Sequence, residues 1–559
     1  MEKSLEFLSL RGQNTVKCWD HHILGKFGCE AKENAYDKDR NSQGIINFGT
    51  ADNKLCEDII KERLMRPDMN KFDETMQHYF QFHGGDSFRQ TLAEFLREKA
   101  HANQGRVSAN DIFVTSGVAS AFDILAHAIC DPGDTLLIPS PHYAGMEHFH
   151  QRGQVNLYRI PLSSTGTDKT SSFHLSADML KTAYQNAVNQ GQKVRGIILT
   201  NPNNPLGDIY DVEQLYNFLE FAHSKKLHVI MDEIFALSVF DEHSKFHSLL
   251  RLHLMLLPDP WRIHTIWGFS KDLGLSGLRC GVVHTKNPQI QTVFKSLTNF
   301  GAVPPVIQHK LNTLLRDKDW LDKTYLPTNI DRLRSNYKIM TETLDSFNIS
   351  YRHSKAGFFL FADFSKYLHP PSKESEMDLF ERFIDGGVYM VPGCAHGWDT
   401  FGWFRVVFTS TSDKDIIIEG VKRINDVLNS IPDQFTTASS SSNHGNNRVE
   451  SEASVSGELK GVKRKTPTTP DTTDDFDFII PQPLSKDSGP EDPLEGMLKT
   501  LKQQITTSGW LDKNTSDQWE ASNPDTAKAF RKAAGKDSSF EKMETNSNDS
   551  SNSKESVNT

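Results

Sequence analysis

An alternation of short apolar runs and helical patterns between residues 112 and 267 is the feature that most constrains the fold of this chain. The apolar runs favour buried strands, and the segments between them have the spacing of amphipathic helices. We predict strands at Ile112–Val114, Leu136–Ile138, Gly196–Leu199, Val229–Met231 and Ile263–Trp267, with helices at about 119–130, 178–190 and 211–226. Such an alternation indicates an α/β domain with a mainly parallel sheet.

The segments on either side have different patterns. The folded part is expected to begin near Asn41, because residues 44–49 resemble a short strand. After about residue 310, helices and strands mix in the manner of a smaller α+β domain. There we predict helices near 329–346 and 374–385, and strands at 358–361, 388–391 and 404–408.

Composition changes sharply near residue 433, beyond which runs of serine, threonine, proline and asparagine leave little apolar surface for a core. We therefore predict four segments: residues 1–65, which contribute to the small domain; a large domain of 66–310; a small domain of 311–433; and a disordered tail of 434–559. Within the tail, residues 493–501 have the spacing of a helix that either docks on a protein partner or is idle. The basic cluster at 460–465 is either a nuclear-import signal or a solvated charge cluster.

Charge and cysteine content argue against several classes of protein. A formal net charge of −10 does not suit a general nucleic-acid binder. The six cysteines lack the spacing of a disulfide framework or of a structural zinc site, so no metal is predicted. No long uncharged apolar run suggests a membrane span. We expect a cytoplasmic protein.

The stretch from Ser270 to Gly281, directly after the last predicted strand of the alternation, has the composition of a binding site. Lys271 stands at a strand end with few charged neighbours, and burial there would lower its pKa and let it form a Schiff base with an aldehyde. Arg279 offers a planar fork that suits a phosphate, and three glycines allow close approach of a ligand. An aldehyde and a phosphate in one molecule suggest pyridoxal phosphate. The alternative is an exposed turn in which Arg279 makes a surface ion pair.

The ends of the other predicted strands are further candidate positions for site residues, because ligands of open α/β sheets lie at the carboxyl ends of the strands. Gly117 and Val118 follow the first strand and open a helix, which makes either a phosphate site or an ordinary helix start. Tyr143 follows the second strand and either covers one face of a planar ring or simply packs. Both signals are weak alone.

Three further positions are more specific. Asn204 lies in a loop with two Asn-Pro steps, which hold its amide where it can donate to a phenolic oxygen. Asp232 ends a buried strand and needs a cationic partner, such as a protonated pyridine nitrogen. Arg405 stands inside an apolar strand, where a substrate carboxylate would be a suitable bidentate partner.

The motifs Asn-Pro-x-Asn-Pro-Leu-Gly, Asp-Glu-Ile, Ser-Lys-Asp-x-Gly-x-x-Gly-x-Arg-x-Gly and Phe-Arg-Val occur in this order. In that order they resemble those of fold-type I pyridoxal-phosphate enzymes of the aspartate aminotransferase group. Residues 45–56 and 268–277 are similar to the 1-aminocyclopropane-1-carboxylate synthase branch, especially its animal synthase-like members. The resemblance extends from about residue 10 to 430 and implies a homodimer with the site at the interface.

The resemblance also implies a role for each matching residue. Lys271 binds the cofactor as a Schiff base and then moves the Cα proton of the amino acid. Asp232 pairs with the pyridine nitrogen, Asn204 binds the phenolic oxygen and Tyr143 stacks on the ring. Arg405 binds the substrate α-carboxylate. The residues that hold the cofactor phosphate are Gly117, Val118, Ala119, Ser270 and Arg279.

Four positions depart from the family pattern. Phe235 and Phe82 stand where the family has tyrosines that reach the cofactor, the second from the neighbouring subunit. Ala119 replaces a phosphate-contacting threonine, for which Ser120 is a substitute. Asp52 stands where plant synthases carry glutamate.

Two classes of function therefore remain open. One is an enzyme that acts on α-amino acids by transamination or by β- or γ-elimination, with true cyclopropane synthesis as a variant. The other is a cofactor-binding protein of little activity whose tail recruits a protein partner. The retention of Lys271, Asp232, Asn204, Arg279 and Arg405 favours the enzyme.

Overall fold

The computed structural model describes residues 7–20, 23–103, 106–147, 152–164, 173–252 and 259–431. All of them belong to the first of two units into which the chain divides, residues 1–444. The predicted tail of 434–559, with its docking helix and basic cluster, lies outside the described residues. The boundaries between the predicted large and small domains stay a prediction.

The described strands are β1 Ile46–Asn47, β2 Ile112–Thr115, β3 Thr135–Ser140, β4 Asn156–Pro161, β5 Ser163–Ser164, β6 Phe173–His174, β7 Val194–Thr200, β8 His228–Asp232, β9 Ile263–Gly268, β10 Gly281–Thr285, β11 Ser350–Arg352, β12 Phe359–Asp363, β13 Val388–Tyr389, β14 Val391–Pro392 and β15 Trp403–Val407. The longer described helices are α1 Leu10–Asp20, α2 Ile23–Glu33, α3 Glu57–Leu64, α4 Asp86–Lys99, α5 Val118–Ile129, α6 Ala177–Asn189, α7 Val212–Ser224, α8 Pro288–Leu297, α9 Pro305–Arg316, α10 Leu326–Ser346, α11 Lys373–Asp385 and α12 Lys414–Asn429.

A seven-stranded sheet has the order β2-β10-β9-β8-β7-β3-β4. Strand β10 is antiparallel to both of its neighbours, and the other pairings are parallel. This confirms the predicted mainly parallel sheet and each of its five predicted strands. The apolar strands are buried on both faces because helices cover them, which is why they appear in the sequence as continuous apolar runs.

Two strands of this sheet were not predicted. Strand β4 lies at the sheet edge and is half-exposed, so its apolar pattern is broken. Strand β10 follows the glycine-rich stretch directly. It starts with Gly281, where an added Cβ would lie 2.5 Å from the carbonyl carbon of Gly117. The sheet therefore brings the end of the lysine stretch into backbone contact with the start of α5.

The helices that connect these strands begin where their sequences supply caps. The Ser176 side chain accepts a hydrogen bond from the Met179 amide at the start of α6. Asp211 and Gln214 form a capping box at the start of α7. The predicted helices at about 119–130, 178–190 and 211–226 are confirmed within two residues at each end.

The expectation that the folded part begins near Asn41 is wrong, because α1 and α2 precede it. Helix α2 buries only Gly28 and Ala31, so it has no strong apolar stripe from which to predict it. The expected strand at 44–49 is reduced to β1, which pairs in parallel with β13.

The second large sheet has the order β11-β12-β15-β14, with every pairing antiparallel. It confirms the predicted strands at 358–361 and 404–408, and α10 and α11 confirm the helices predicted beside them. The strand predicted at 388–391 is split between β13 and β14. None of the described helices combines the length and the apolar character needed to cross a membrane.

Candidate active site

Lys271 lies in the turn that follows β9, at the carboxyl edge of the seven-stranded sheet. Its side chain is half-buried, and Nζ donates a 2.6 Å hydrogen bond to the Ala51 carbonyl oxygen. The pKa of the Lys271 ammonium is lowered to about 8, chiefly by burial; the charge of Asp52 opposes this shift, and the charges of Arg405 and Arg279 add to it. A lysine with such a pKa is partly neutral, and therefore nucleophilic, near pH 7.

Asp232 ends β8, the neighbour of β9. It is 4% exposed. Its side chain accepts one described hydrogen bond, from the Ile234 amide to Oδ1 at 3.1 Å. Burial raises the pKa of the Asp232 carboxyl to about 7. Within the described residues no arginine, lysine or histidine makes an ion pair with it, so its surroundings suit a cationic ligand atom.

Asp272, the residue after Lys271, is a contrasting buried carboxylate. It accepts hydrogen bonds from the Leu237 amide at 3.0 Å, the Ser238 hydroxyl at 2.6 Å and the Trp267 indole at 2.9 Å. Burial raises its pKa to about 7 as well. Because its oxygens are occupied by the protein, Asp272 fixes the turn that carries Lys271.

The start of α5 has the features of an anion site. Gly117 has a φ of +81°, and no side chain caps the helix. A Cβ added to Gly117 would lie 2.6 Å from Nη2 of Arg279, so that guanidinium covers the first turn of the helix. Free helix amides, the helix dipole and an arginine together favour a phosphate group. Val118 and Ala119 are the first residues of this helix, and Ser270 lies half-buried beside Lys271.

Arg405 lies in β15 and is 2% exposed. Its Nη2 donates to the Gly49 carbonyl oxygen at 2.6 Å, and its Nη1 donates to Oδ1 of Asn204 at 3.1 Å. Its Nε is buried without a hydrogen-bond partner. Burial lowers the pKa of the Arg405 guanidinium to about 10. Its described partners are all neutral, so this buried cation fits a carboxylate ligand.

Asn204 is buried in the Asn-Pro loop, which we define as residues 201–208. Since Oδ1 accepts from Arg405, the side-chain nitrogen remains available to donate to a ligand. The loop follows β7, next to β8, so Asn204 and Asp232 come from adjacent strand ends.

Tyr143 follows β3 and is 38% exposed. Its ring lies over Gly145, where an added Cβ would be 2.5 Å from Cε1. Partial burial of the phenol raises the pKa of Tyr143, and the charges of Arg405, Asp232 and Arg279 all act on it. Tyr143 thus lies near Arg405, Asp232 and Arg279.

Sequence reasoning missed Tyr389, which lies in β13. Its buried ring packs against Gly49, where an added Cβ would be 2.3 Å from Cε1. Burial raises the pKa of its phenol to about 12, although the nearby charge of Arg405 opposes that shift. A tyrosine within a short apolar strand gives no sequence signal of the face it occupies. The Gly49 and Ala51 carbonyl oxygens were missed because backbone groups leave no signature in residue type.

The aromatic positions that depart from the family pattern are hydrophobic contacts here. Phe235 is 1% exposed and packs edge-to-face against Phe358 and Phe359, with ring centroids 5.2 and 5.3 Å apart. Phe82 makes edge contacts with Tyr79 and Phe80. Neither residue brings a phenol to the site. Among the described residues, no group of three or more histidine, cysteine, aspartate and glutamate side chains could hold a metal ion.

Comparisons with known proteins agree with this architecture. The family described as "Aminotransferase class I and II" matches residues 43–424. The "1-aminocyclopropane-1-carboxylate synthase-like protein 1" of Takifugu rubripes is 34% identical over 540 residues, which cover 94% of this chain and 86% of that protein. The "Probable inactive 1-aminocyclopropane-1-carboxylate synthase-like protein 2" of Homo sapiens is 39% identical, with 67% of this chain and 66% of that protein covered.

Solved structures show the same fold at lower identity. The aspartate aminotransferase from Thermus thermophilus with maleate is 17% identical and superposes with a TM-score of 0.61. The alignment covers 75% of this chain and 99% of that one. The predicted fold-type I architecture is confirmed by this likeness.

Proposed function

Because this chain belongs to the class I and II aminotransferase family, and within it to the 1-aminocyclopropane-1-carboxylate synthase-like proteins, we propose that it is an enzyme acting on α-amino acids. The proposed reaction is transamination or β- or γ-elimination. One observation carries the proposal: Lys271 and Asp232, at the carboxyl edge of the seven-stranded sheet, and Arg405, in the four-stranded sheet, make no ion pair within the part of the chain that the structure describes. Such groups suit the charges of a cofactor and an amino acid.

Pyridoxal phosphate is the cofactor of this family. When bound, it supplies an aldehyde that condenses with amines and a protonated ring that withdraws electrons from the Cα of the substrate. The Asp232 carboxylate, which makes no ion pair among the described residues, fits the ring nitrogen of this molecule, and the uncapped helix start beside Arg279 fits its phosphate.

Each sequence-predicted residue then has a proposed role. Lys271 is the attachment point, Asp232 holds the ring nitrogen, Asn204 donates to the phenolic oxygen and Tyr143 covers one ring face. The phosphate is held by Ser270 and Arg279 and by the helix start formed by Gly117, Val118 and Ala119.

Lys271 is also the proposed proton carrier. With a pKa of about 8, about a tenth of this lysine is neutral at pH 7 when it is not attached to the cofactor. Its Nζ can then take the proton from the substrate Cα and return it later. Arg405 binds the α-carboxylate and thereby fixes the orientation of Cα relative to Lys271.

Cyclopropane synthesis is a less favoured reaction for this site. It requires the γ-carbon of S-adenosylmethionine to be held in line behind Cα, and a misplacement of about 1 Å can cost about a hundredfold in rate. Asp52 is one methylene shorter than glutamate, and Phe82 and Phe235 bring no phenol. Transamination and simple elimination need only the lysine, the ring partner and the carboxylate anchor.

A second candidate is a cofactor-binding protein of little activity that acts through its tail. The hydrophobic environment of Phe235 favours it, because no phenol there tunes the cofactor. Retention of Lys271, which a merely binding protein would not need, favours the enzyme.

We also propose a homodimer, as enzymes of this fold type typically form dimers. Three large apolar side chains each expose more than half of their surface, which supports a surface that a second subunit covers: Phe72, Tyr79 and Phe300. A cytoplasmic location is part of the proposal, in keeping with the free thiols of the described cysteines.

The decisive experiment is an absorbance spectrum of the purified protein with pyridoxal phosphate, before and after a panel of amino acids. We expect a visible cofactor band that changes with several amino acids, and borohydride reduction followed by peptide mapping should label Lys271. Lys271→Ala is the control and should show no covalent label. A label on another lysine would overturn the site assignment, and a band that no amino acid changes would favour the second candidate. Efficient release of 1-aminocyclopropane-1-carboxylate from S-adenosylmethionine would restore the synthase assignment.

A further inference from the structure

Two arginines occupy one face of the four-stranded sheet. Arg352 of β11 is paired with Phe361 of β12, and Phe361 is paired with Arg405 of β15. Side chains that are directly opposite in antiparallel neighbours project to the same face. Both arginines contact the Asn-Pro loop, at different residues.

Arg352 holds the far end of this loop. Its Nη2 lies 2.7 Å from Oδ1 of Asp208, and its Nη1 donates to the Leu206 carbonyl oxygen at 3.3 Å. The two side chains of this ion pair are only 6% and 17% exposed. The guanidinium also lies 4.9 Å from the centre of the Phe173 ring. A buried, stacked arginine that bonds both a carboxylate and a carbonyl oxygen is a geometrically specific contact.

The residues after Arg352 hold the same part of the loop. The Ser354 hydroxyl donates to the Leu206 carbonyl oxygen at 3.2 Å. Gly207 has a φ of +71°, and a Cβ added to it would lie 1.8 Å from Oγ of Ser354. The loop therefore packs against β11 so closely that its path depends on where Arg352 and Ser354 lie.

Arg405 holds the near end, through the bond from Nη1 to Asn204. This contact differs from the Arg352 contact in one respect: Arg405 is also the proposed anchor of the substrate carboxylate. When a carboxylate binds Arg405, it competes with Asn204 for the same guanidinium. The contacts of Arg352 with Asp208 and Leu206 involve no ligand-binding atom. They therefore persist when a carboxylate replaces Asn204 on Arg405.

We propose that Arg352 is a positioning residue that keeps Asn204 in place on the cofactor while Arg405 binds substrate. The inference rests on the proposed function, because it assigns Asn204 to the cofactor's phenolic oxygen. Arg352 touches neither cofactor nor substrate in this account. It acts through Asp208 and the backbone of the loop.

The test compares Arg352→Met with Asn204→Ala and with a matched control, Arg63→Met. Arg63 is a 3%-exposed arginine whose Nε lies 2.7 Å from Asp317 and whose Nη2 lies 2.8 Å from Asp68, so its loss removes the ion pairs of a buried arginine outside the loop. Four quantities are measured for each: the melting temperature, the affinity for pyridoxal phosphate, the pH midpoint of the absorbance change of bound pyridoxal phosphate, and the hydrogen exchange of the loop amides in the cofactor-free protein.

Arg352→Met should shift the pH midpoint in the same direction as Asn204→Ala and by at least half as much, and it should weaken cofactor binding about tenfold, as expected for the loss of one hydrogen bond. Loop amides should exchange faster in Arg352→Met than in Arg63→Met. Arg352→Lys, which keeps the charge, should restore part of the midpoint.

An unshifted midpoint in Arg352→Met would overturn the proposal, and a melting temperature lowered as in Arg63→Met would then make Arg352 a structural residue. If the unsubstituted protein shows no bound-cofactor absorbance, the proposed function itself fails. The exchange measurement still decides whether Arg352 holds the loop: equal exchange in the two variants would overturn that part independently.

Discussion

The strand end at Asp232 and the turn at Asp272 are equally buried, yet the protein treats their carboxylates differently. Both have pKa values raised to about 7 by burial. Asp272 accepts hydrogen bonds from three donors, two in the segment after β8 and one in β9, whereas Asp232 accepts one described hydrogen bond, from a backbone amide. Glu233, the neighbour of Asp232, resembles Asp272, since Ser248 and Leu249 both donate to it at 2.6 Å. Burial alone therefore does not distinguish these carboxylates, whereas the number of protein donors that each accepts from does.

The largest expected effect comes from removing the two aspartates separately. Asp272→Ala leaves three buried donors without an acceptor, so we expect the free energy of unfolding of the cofactor-free protein to fall by about 3 kcal/mol or more. Asp232→Ala should change that free energy by less than about 1 kcal/mol but should weaken cofactor binding about a hundredfold or more, because it removes the partner of a buried cation.

Chemical denaturation and cofactor titration of both variants check this expectation. Glu233→Ala is the matched control and should behave like Asp272→Ala. The contrast between the two regions fails if Asp232→Ala destabilises the cofactor-free protein as strongly as Asp272→Ala does.

A smaller effect is expected on how the stability contributed by Asp232 depends on pH. The pKa of Asp232 is raised from 3.8 to about 7 in the folded protein, so its contribution to stability is present below its ordinary pKa and is lost as the pH rises through about 7. Without cofactor, Asp232→Asn should therefore match the unsubstituted protein near about pH 4 and be the more stable of the two near about pH 8. With cofactor bound, the order near pH 8 should reverse, because the ionised carboxylate gains a cation.

Unfolding curves at these two pH values, with and without pyridoxal phosphate, measure the difference. If the order near pH 8 is the same with and without cofactor, Asp232 does not pair with a ligand cation.

The smallest effect is expected at Phe235. Phe235→Tyr adds a hydroxyl to a ring that packs edge-to-face on two phenylalanines, and we expect a change in stability within about 1 kcal/mol. If that hydroxyl reaches the cofactor, the pH midpoint of its absorbance should fall by about one unit, the size of a single charge-assisted hydrogen bond. Phe235→Leu, which removes the ring without adding a donor, should leave the midpoint unchanged. A rise in the midpoint of Phe235→Tyr would contradict the view that the missing phenol limits this site.

The parts of the fold that sequence predicted are those with strong local patterns. The five apolar strands around Ile230 and Ile266 are buried on both faces, and each apolar run corresponds to a strand. Helix α2 and strand β4 were missed because each buries few residues, so their sequences show no clear apolar periodicity. Tertiary contacts, rather than local propensity, hold such elements in place.

The candidate site divides in a similar way. Lys271, Asp232 and Arg405 were predicted as candidates because a charged residue within or just after an apolar run is conspicuous. Tyr389 and Arg352 were not, because their importance comes from what they pack against: Gly49 in one case and the Asn-Pro loop in the other. The difference between Asp232 and Asp272 is likewise invisible in the sequence, because two of the three donors to Asp272, Leu237 and Ser238, lie 35 and 34 residues away along the chain.

The two cationic side chains at the centre of the site are held by main-chain oxygens of one short segment, since Lys271 donates to Ala51 and Arg405 to Gly49. An alanine scan is blind to such contacts, because changing a side chain leaves its carbonyl in place. A substitution at Ala51 should therefore be tolerated far better than the deletion of one residue from this segment, because a deletion would displace the carbonyl oxygens of both Gly49 and Ala51. For engineering, the length of this segment matters more than the identity of its residues. Gly49 is the exception, because the Tyr389 ring leaves no room for a Cβ there.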